Sequence, residues 1–448
     1  MTIIDQEISA FLAAHPDLEI LEVLIPDING IFRGKQMPIA GLAKLAKNGV
    51  PFSTTAVFLM PNGATADTLP EKYDCDPDRM CFAVPGTLKR VPWAKRPMAQ
   101  ILITMQGAEG EPYFMDPRTI LKKALKPYDA MGLKPMIALE YEFYLFEASS
   151  MPPVAVAPPN GMPRAAGANC YNMDVFYDYE EILREIEDAC KLQDVDVSGM
   201  ICEYGNGQFE VNLGHTDNAE KACDDALLLK RAIKGVARER GLHASFMAKP
   251  LGNDVGNGLH AHVSLLNADG ENIFGLAEGE ERLAHAVGGL LETMAEATAI
   301  FAPNANSYRR FDPECYVPIV PNWGENNRGV SVRLPISDAK NRRFEHRVSG
   351  ADACPHLVVA AILAGAYHGL ETKADPGPKL GEFETFEYKN TLPTRWHNAL
   401  DHMEKSTVMR RYLGNDFVDL YLTIRRFEEE EFHRQIGLTD YEQYLRIT

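Results

Sequence analysis

The chain has 448 residues, of which 46% are hydrophobic and 24% charged, and this composition excludes a disordered or fibrous protein. Its formal net charge of −18 argues against nucleic acid as a partner, because phosphate backbones are bound through lysine and arginine patches. The longest apolar run, residues 357–367, is too short to cross a bilayer, so no membrane partner is expected.

The amino terminus predicts a cytoplasmic protein. Asp5 and Glu7 lie near its start, and no basic segment followed by an apolar one is present, so it is not typical of a secretory signal. The eight cysteines lack the close paired spacing of zinc and redox sites. We therefore expect ordinary thiols in a reducing compartment.

The first 110 residues are predicted to form a small strand-rich domain. Short apolar segments at residues 21–25, 56–59 and 101–103 are typical of strands, and residues 26–30 are typical of a turn. Asp116 then offers a helix N-cap, with Pro117 at the first helical position. We therefore expect two domains, residues 1–110 and residues 111–448.

Five longer segments of the second domain have the apolar periodicity of helices. These segments are residues 179–192, 219–239, 281–300, 355–370 and 416–435. Strands are expected between them. Residues 149–167 are rich in proline, alanine and glycine, which favours a surface insertion outside the core.

Two acidic side chains share one face of a predicted strand at residues 137–145. Alternation places Glu140 and Glu142 on one face, and Leu139, Tyr141 and Phe143 on the other. Paired carboxylates could bind a cation. A solvated acidic strand face is the commoner alternative.

A second acidic pair flanks a predicted hairpin at residues 200–213. The sequence Gly-Asn-Gly at residues 205–207 is typical of a tight turn between two apolar strands. Glu203 and Glu210 are therefore expected to face each other across the hairpin. They would serve either as metal ligands or as solvated surface acids.

Residues 256–265 begin with two glycines and continue as an alternating strand. His260, His262 and Ser264 share one face of that strand, and apolar residues occupy the other. A single histidine on a strand is usually structural. Two imidazoles on one face favour a ligand or phosphate site.

Arginines are concentrated between residues 306 and 347, where apolar residues interleave them and argue against a solvated basic face. Guanidinium groups suit carboxylate and phosphate. With Glu345, the acidic segments favour two or more Mg²⁺ or Mn²⁺ ions over zinc, because oxygen ligands dominate. Metal ions beside arginines are what phosphoryl transfer needs.

In their order along the chain, six motifs resemble those of the glutamine synthetase superfamily: E-Y-E, E-Y-G-N-G-Q-F-E, G-N-G-L-H-A-H-V-S-L, N-S-Y-R-R, N-N-R-G-V-S-V-R-L-P and R-R-F-E-H-R. The likeness is nearest to the gamma-glutamylputrescine synthetase branch, because Y-V-P follows N-S-Y-R-R-F and R-V-S-G-A-D-A is present. The resemblance implies an α+β fold with a small amino-terminal beta-grasp domain. It also implies a large catalytic domain whose antiparallel strands form a funnel flanked by helices, and stacked hexameric rings with active sites between subunits.

The resemblance also implies roles for individual residues. The first metal ion would be bound by Glu142, Glu203 and Glu210, and the second by Glu140, His260 and Glu345. ATP would contact His262, Ser264, Arg333 and Arg343. Glutamate would contact Gly256, Arg310 and Arg347, and Arg328 would stabilise charge on the transferred phosphoryl group. The catalytic residues would be Arg328, Glu345 and Arg347.

Two substrate-site positions depart from the pattern of ammonia-using relatives. Tyr316 replaces a glutamate that closes over their site, and Ser53 replaces an aspartate that helps to capture ammonium. Losing both acids would make room for an alkylamine. The predicted activity is therefore an ATP-dependent ligase that joins glutamate to a small amine or a polyamine such as putrescine, through gamma-glutamyl phosphate. The alternatives are a glutamine synthetase that uses ammonia and a catalytically silent scaffold or regulator.

The identity of the amine would depend on what binds its far end. A diamine would need a further carboxylate or aromatic group for its second ammonium, and the candidates are Asp67, Glu71, Trp323 and Glu325. Each is more often an ordinary surface or loop residue. The context of the tyrosine adenylylated in some relatives, N-L-Y-D-L-P, has no counterpart, so that regulation is not expected.

Overall fold

The computed structural model describes residues 3–159, 161–162 and 167–448. Its first part forms a six-stranded sheet in the order β2-β1-β6-β4-β3, with β5 paired to β6. The elements are α1 (Ile3–Ala14), β1 (Ile20–Pro26), β2 (Phe32–Pro38), α2 (Leu42–Asn48), β3 (Val50–Ser53), β4 (Asp78–Ala83), β5 (Lys89–Arg90) and β6 (Met98–Met105). β1 lies parallel to β6 and antiparallel to β2, as in a beta-grasp sheet.

The second part forms an eight-stranded sheet in the order β12-β13-β14-β11-β7-β9-β8, with β10 also paired to β7. The elements are α3 (Pro117–Ala130), β7 (Lys134–Glu147), α4 (Met173–Asp178), α5 (Glu180–Leu192), β8 (Val197–Cys202), β9 (Gln208–Leu213), α6 (Ala219–Glu239), β10 (Leu242–Ser245), β11 (Leu259–Leu266), α7 (Gly279–Phe301), β12 (Trp323–Glu325), β13 (Val332–Leu334), β14 (Phe344–His346), α8 (Pro355–Thr372), α9 (Trp396–Glu404), α10 (Val408–Leu413), α11 (Asn415–Arg434) and α12 (Leu438–Tyr444). The ladders are antiparallel except that of β12 with β13. The predicted α+β class is confirmed.

The predicted helices are confirmed, each within two residues of its expected ends. The start of α3 has the expected cap, because the Asp116 carboxylate accepts from the backbone N–H of Arg118 at 2.9 Å. The same carboxylate accepts from the Thr104 hydroxyl at 2.7 Å and from the Met105 N–H at 2.9 Å. Asp116 thus fastens the end of β6 to the start of α3.

Contacts from the carboxyl-terminal helices hold the first sheet against the second part of the chain. Arg425 of α11 is fully buried and donates to the Asn29 side-chain oxygen at 2.8 Å and to the Ile28 carbonyl at 3.3 Å. Both acceptors lie in the turn between β1 and β2. We propose residue 110, in the connection between the two sheets, as the domain boundary.

One predicted strand is absent. The sequence predicts an extended segment at residues 56–59, but Thr54–Val57 form a 3-10 helix. The Asp76 carboxylate accepts from the Thr55 N–H at 3.1 Å and from the Thr55 hydroxyl at 2.9 Å. This side chain offers the backbone an alternative to a strand ladder, which a short apolar run does not reveal.

The surface-insertion prediction for residues 149–167 is wrong for its middle. Val156 is 5% exposed, its N–H donates to the Leu145 carbonyl at 3.0 Å, and its own carbonyl accepts from the Tyr179 hydroxyl at 3.0 Å. The segment therefore contributes to the core at this point. Its residues 160 and 163–166 lie outside the described part of the chain.

The eight cysteines are free thiols, as their spacing predicts. Within residues 3–159, 161–162 and 167–448, no helix is long and apolar enough to span a membrane.

Candidate active site

Acidic and histidine side chains from neighbouring strands meet on one face of the second sheet. Glu142 of β7 lies opposite Glu210 of β9, and Glu140 of β7 lies opposite His260 of β11. On the other side of β11, Glu345 of β14 lies opposite His262. The strand register thereby brings together predicted metal-binding residues from distant parts of the sequence.

Two groups of these side chains have the spacing of metal ligands. The donor atoms of Glu140, His260 and Glu345 lie within 4.8 Å of one another, and so do those of Glu142, Glu210 and His260. Carboxylate oxygens with one imidazole nitrogen suit Mg²⁺ or Mn²⁺. The residues present therefore fit hard divalent cations.

Glu203 lies beside these groups but in neither of them. Its backbone N–H donates to the Gln208 carbonyl at 3.0 Å, and the residue directly opposite Glu210 is Ile201. Glu203 and Glu210 are therefore diagonal neighbours and not the directly facing pair expected from the sequence. Both still line one cavity, because residues two apart along a strand share a face.

Burial and repulsion between neighbouring acids raise the pKa of two of the carboxyl groups. Burial, followed by the charge of Glu142, raises the pKa of Glu203 to about 7. Burial also raises the pKa of Glu210 well above its usual range, with added repulsion from Glu140 and Glu142. A buried cluster of acids that repel one another is what a bound divalent cation would neutralise.

Hydrogen-bond donors compensate the charge of Glu140 and Glu345. His262 donates from Nε2 to Glu140 at 2.8 Å, while Arg343 donates to His262 Nδ1 at 3.1 Å. Glu345 accepts from Arg333 at 2.8 Å and from Arg347. Burial opposes ionisation of Glu345, but the charge of Arg347 and the nearby histidines hold its pKa at about 2.

A cavity of about 390 Å³, here called the metal-side cavity, opens beside Glu142, Glu203 and Glu210. Arg310, Arg328 and Arg347 also line it. Arg310 and Arg347 are 4% and 5% exposed, and the Nε of each has no partner among the described residues. Buried guanidinium groups with spare donors suit an anionic ligand.

Gly256 lines the same cavity where the chain passes very close to Arg310. A Cβ atom at this position would collide with the Ala248 carbonyl and the Arg310 side chain. Only glycine fits here without displacing that arginine. Gly256 therefore allows Arg310 to keep its observed position at the cavity.

A second cavity of about 330 Å³ includes Arg343 together with Arg342, Asn326 and Lys379. Arg333 donates to Asn326 at 2.9 Å as well as to Glu345, so it connects the metal ligands to a residue of this cavity. The other two residues predicted for ATP, His262 and Ser264, are buried on β11 and line neither cavity.

Several predicted substrate residues lie elsewhere in the chain. Ser53 ends β3 in the first sheet, its hydroxyl lies 3.2 Å from the Thr55 hydroxyl, and it does not line the metal-side cavity. The candidates for binding a second ammonium also do not line the metal-side cavity; they are Asp67, Glu71, Trp323 and Glu325. Glu325 lines the second cavity.

The metal-side cavity includes residues that the sequence did not single out. Tyr171, Tyr204, Glu314 and Cys315 all line it. They belong to loops and a short 3-10 helix, and none stands in a periodic pattern. Their positions beside singled-out residues could have drawn attention to three of them, because Glu314 and Cys315 precede Tyr316 and Tyr204 follows Glu203.

A cavity of about 510 Å³ lies between the first sheet and α6. Its charged lining includes Lys230, Arg231, Lys234 and Arg238 but none of the clustered metal-type ligands. Because it lacks these ligands, this cavity is not our candidate for the catalytic centre.

Comparisons with known proteins agree with this geometry. A family model for the glutamine synthetase catalytic domain matches residues 114–444. Gamma-glutamylputrescine synthetase of Escherichia coli is 38% identical over 98% of this chain and 94% of its own. The glutamate–isopropylamine ligase of a Pseudomonas species is 30% identical over 98% of this chain and 97% of its own.

A solved structure of GmaS in complex with ADP has the same fold. It superposes with a TM-score of 0.84 at 28% identity, covering 98% of this chain and 99% of that one. Together with the match to the catalytic-domain model, these relationships show that the chain belongs to the glutamine synthetase family of ATP-dependent glutamate–amine ligases.

Proposed function

We propose that the protein joins the side-chain carboxylate of glutamate to a small amine or polyamine, consuming ATP and passing through gamma-glutamyl phosphate. The observation that carries this proposal is the convergence of metal-type acids and buried arginines on one cavity. Two relatives named for ligation of putrescine and isopropylamine support an amine as the acceptor. The reaction would belong to nitrogen metabolism, and to polyamine catabolism if the amine is putrescine.

The acids are proposed to hold two or more Mg²⁺ or Mn²⁺ ions. Glu142, Glu203 and Glu210 would bind one ion, and Glu140, His260 and Glu345 another. These ions would neutralise phosphate charge during transfer. His260 belongs to both of the groups with ligand spacing, so the two sets of ligands adjoin each other.

The proposed reaction has two steps. The glutamate side-chain oxygen attacks the terminal phosphorus of ATP, the bond from that phosphorus to ADP breaks, and an acyl phosphate forms. The neutral amine then attacks the acyl carbon, the carbon–oxygen bond to phosphate breaks, and a proton leaves the new amide nitrogen. Activation is needed because a carboxylate alone is a poor acyl donor.

The arginines are proposed to position both anions. Arg310, Arg347 and the Gly256 backbone would hold glutamate, while Arg328 would stabilise charge on the transferred phosphoryl group. Arg328 is exposed at the cavity, so it can reach a ligand without the desolvation cost of a buried charge. Arg333, Arg343, His262 and Ser264 are assigned to the nucleotide.

Tyr316 favours an alkylamine over ammonia. It lines the metal-side cavity and is 65% exposed, so it presents an aromatic surface where the ammonia-using pattern has a carboxylate. An apolar alkyl stem gains from contact with such a surface, whereas ammonium gains more from an acid.

The assembly is proposed to be a cytoplasmic dodecamer of two stacked hexameric rings. Ser53 lies in the first sheet, away from the metal-side cavity of its own chain. Its assignment to the amine site therefore requires the first sheet of a neighbouring subunit. Sedimentation velocity would check the predicted mass.

Phosphate release from ATP and glutamate, measured with a panel of amines, tests the function. We expect release that depends on both glutamate and an alkylamine or diamine, with ammonium a poor substrate. Preference for ammonium would identify a glutamine synthetase. No release with any amine would identify a silent scaffold.

A further inference from the structure

One carboxylate of the metal-side cavity has no partner in the proposed reaction. Glu314 lies in the 3-10 helix Pro313–Cys315, whose N-cap Asp312 accepts from the Glu314 backbone N–H at 3.1 Å. The Glu314 side chain itself is exposed and makes no hydrogen bond or ion pair with the described residues. It is therefore available to a ligand.

The other acids of this cavity are already engaged. Glu142 accepts from the Gly258 N–H at 2.6 Å, Glu210 from the Asn212 amide at 2.9 Å, and Glu203 from the Tyr204 N–H at 3.0 Å. These three also carry the proposed metal site. Glu314 differs from them in its exposure and its position outside the sheet.

Three tyrosines line the same cavity with much of their surface exposed. Tyr171, Tyr204 and Tyr316 are 59%, 53% and 65% exposed. Tyr171 accepts a hydrogen bond from Arg328 at 3.4 Å, so the aromatic surface begins next to the proposed phosphoryl-binding arginine. Aromatic faces attract alkylammonium groups, and a nearby carboxylate adds charge complementarity.

We infer that Glu314, with Tyr171, Tyr204 and Tyr316, forms the subsite that binds the far, positively charged end of the amine substrate. The inference rests on the proposed function, and it names a specificity determinant that the reaction itself does not require. Glu314 replaces the candidates Asp67, Glu71, Trp323 and Glu325, which do not line this cavity.

The test compares 1,4-diaminobutane with butylamine, which differ only in the second amino group. In Glu314→Gln, kcat/KM for the diamine is expected to fall roughly tenfold through a higher KM, since a charge-assisted contact is lost. The value for butylamine is expected to stay within about twofold. Asp269→Asn, an exposed acid in a surface turn outside the cavity, is the matched control.

Three further measurements separate recognition of charge and of the aromatic ring from a structural effect. Glu314→Asp should restore part of the diamine preference, and added salt should reduce that preference in the wild-type enzyme. Tyr316→Leu should raise the KM for the diamine more than Tyr316→Phe does, because only the leucine variant loses the ring.

An equal fall for both amines in Glu314→Gln, or an unchanged diamine preference, would overturn the subsite. So would a wild-type enzyme that does not prefer the diamine. An enzyme that forms no amide with either amine would contradict the proposed function itself, which separates the two failures.

Discussion

Carboxylates that lie side by side in the site differ in how their charge is balanced. Glu345 has Arg333 and Arg347 as direct partners, and its pKa is held at about 2 in spite of burial. Burial and repulsion instead raise the pKa of Glu203 to about 7. Glu203 and Glu210 are thus the positions where a bound cation would change the charge balance most.

Glu203→Gln tests whether the Glu203 carboxylate binds a cation. The variant keeps the size of the side chain but cannot provide a carboxylate, so turnover is expected to fall by about two to three decades with the fold retained. Phosphate release gives the rate, and circular dichroism checks the fold. Glu187→Gln on α5, which loses only a surface pair with Lys191, should keep normal turnover. Near-normal turnover of Glu203→Gln would remove Glu203 from the metal site.

Among the helices, α7 and α8 pack closely through glycines. A Cβ atom on Gly289 of α7 would collide with backbone atoms of Gly365 and Gly369 on α8. Backbone atoms cannot move aside as a side chain can, so the two helices would have to separate.

Gly289→Ala is therefore expected to lower the free energy of unfolding by about 1–3 kcal/mol. Thermal denaturation measures the effect. Gly252→Ala is the control, because a Cβ atom there has open space around it and φ lies outside the left-handed region. A Gly289→Ala protein as stable as this control would contradict the observed packing.

Helix α6 carries a buried lysine whose ionisation is linked to stability. Burial, with a smaller effect from Lys234, lowers the pKa of Lys230 to about 7, although Asp352 and Asp27 oppose the shift. Between pH 7 and the unfolded value of 10.5 the unfolded chain binds the extra proton, so stability rises with pH. Below pH 7 Lys230 is charged in the folded protein, so its burial lowers the free energy of unfolding by the full amount.

Lys230→Met removes that cost while keeping a long side chain. Near pH 6.5 the variant is expected to be more stable than the wild type by about 1–3 kcal/mol, a net value that includes loss of the hydrogen bond to the Ala351 carbonyl. This difference is expected to shrink towards pH 9.5. Melting temperatures of both proteins across this range check it. A stability difference that grows with pH would contradict the claim that burial lowers the pKa of Lys230.

The elements differ in how well the sequence predicts them. α6 and α7 are long and periodic, so their ends could be read within two residues. β7 and β11 could be read from strict alternation, which also placed Glu140 with Glu142 on one face of β7 and His260 with His262 on one face of β11. The pairing of the two strands, which alternation does not show, brings these faces together. The 3-10 helix Thr54–Val57 could not, because its conformation depends on the distant Asp76.

For the whole molecule, the sequence predicts the fold class and the metal-type residues but not the full cavity. Sequence motifs identify site residues within strands, because the spacing along a strand determines which face of the sheet each side chain occupies. Tyr171 and Tyr204 come from loops and Glu314 from a short 3-10 helix, and tertiary packing brings them to the cavity. The diagonal placement of Glu203 also depends on the hairpin register, which one sequence leaves open.

Glutamate labelled with oxygen-18 in its side-chain carboxylate tests the central claim, that this carboxylate is activated by phosphoryl transfer. With ATP, a divalent metal and the preferred amine, the phosphate released should carry one labelled oxygen, because the oxygen that attacks phosphorus leaves with it. Mass spectrometry of the phosphate measures this. Unlabelled phosphate in a reaction that still forms the amide would contradict the acyl phosphate route.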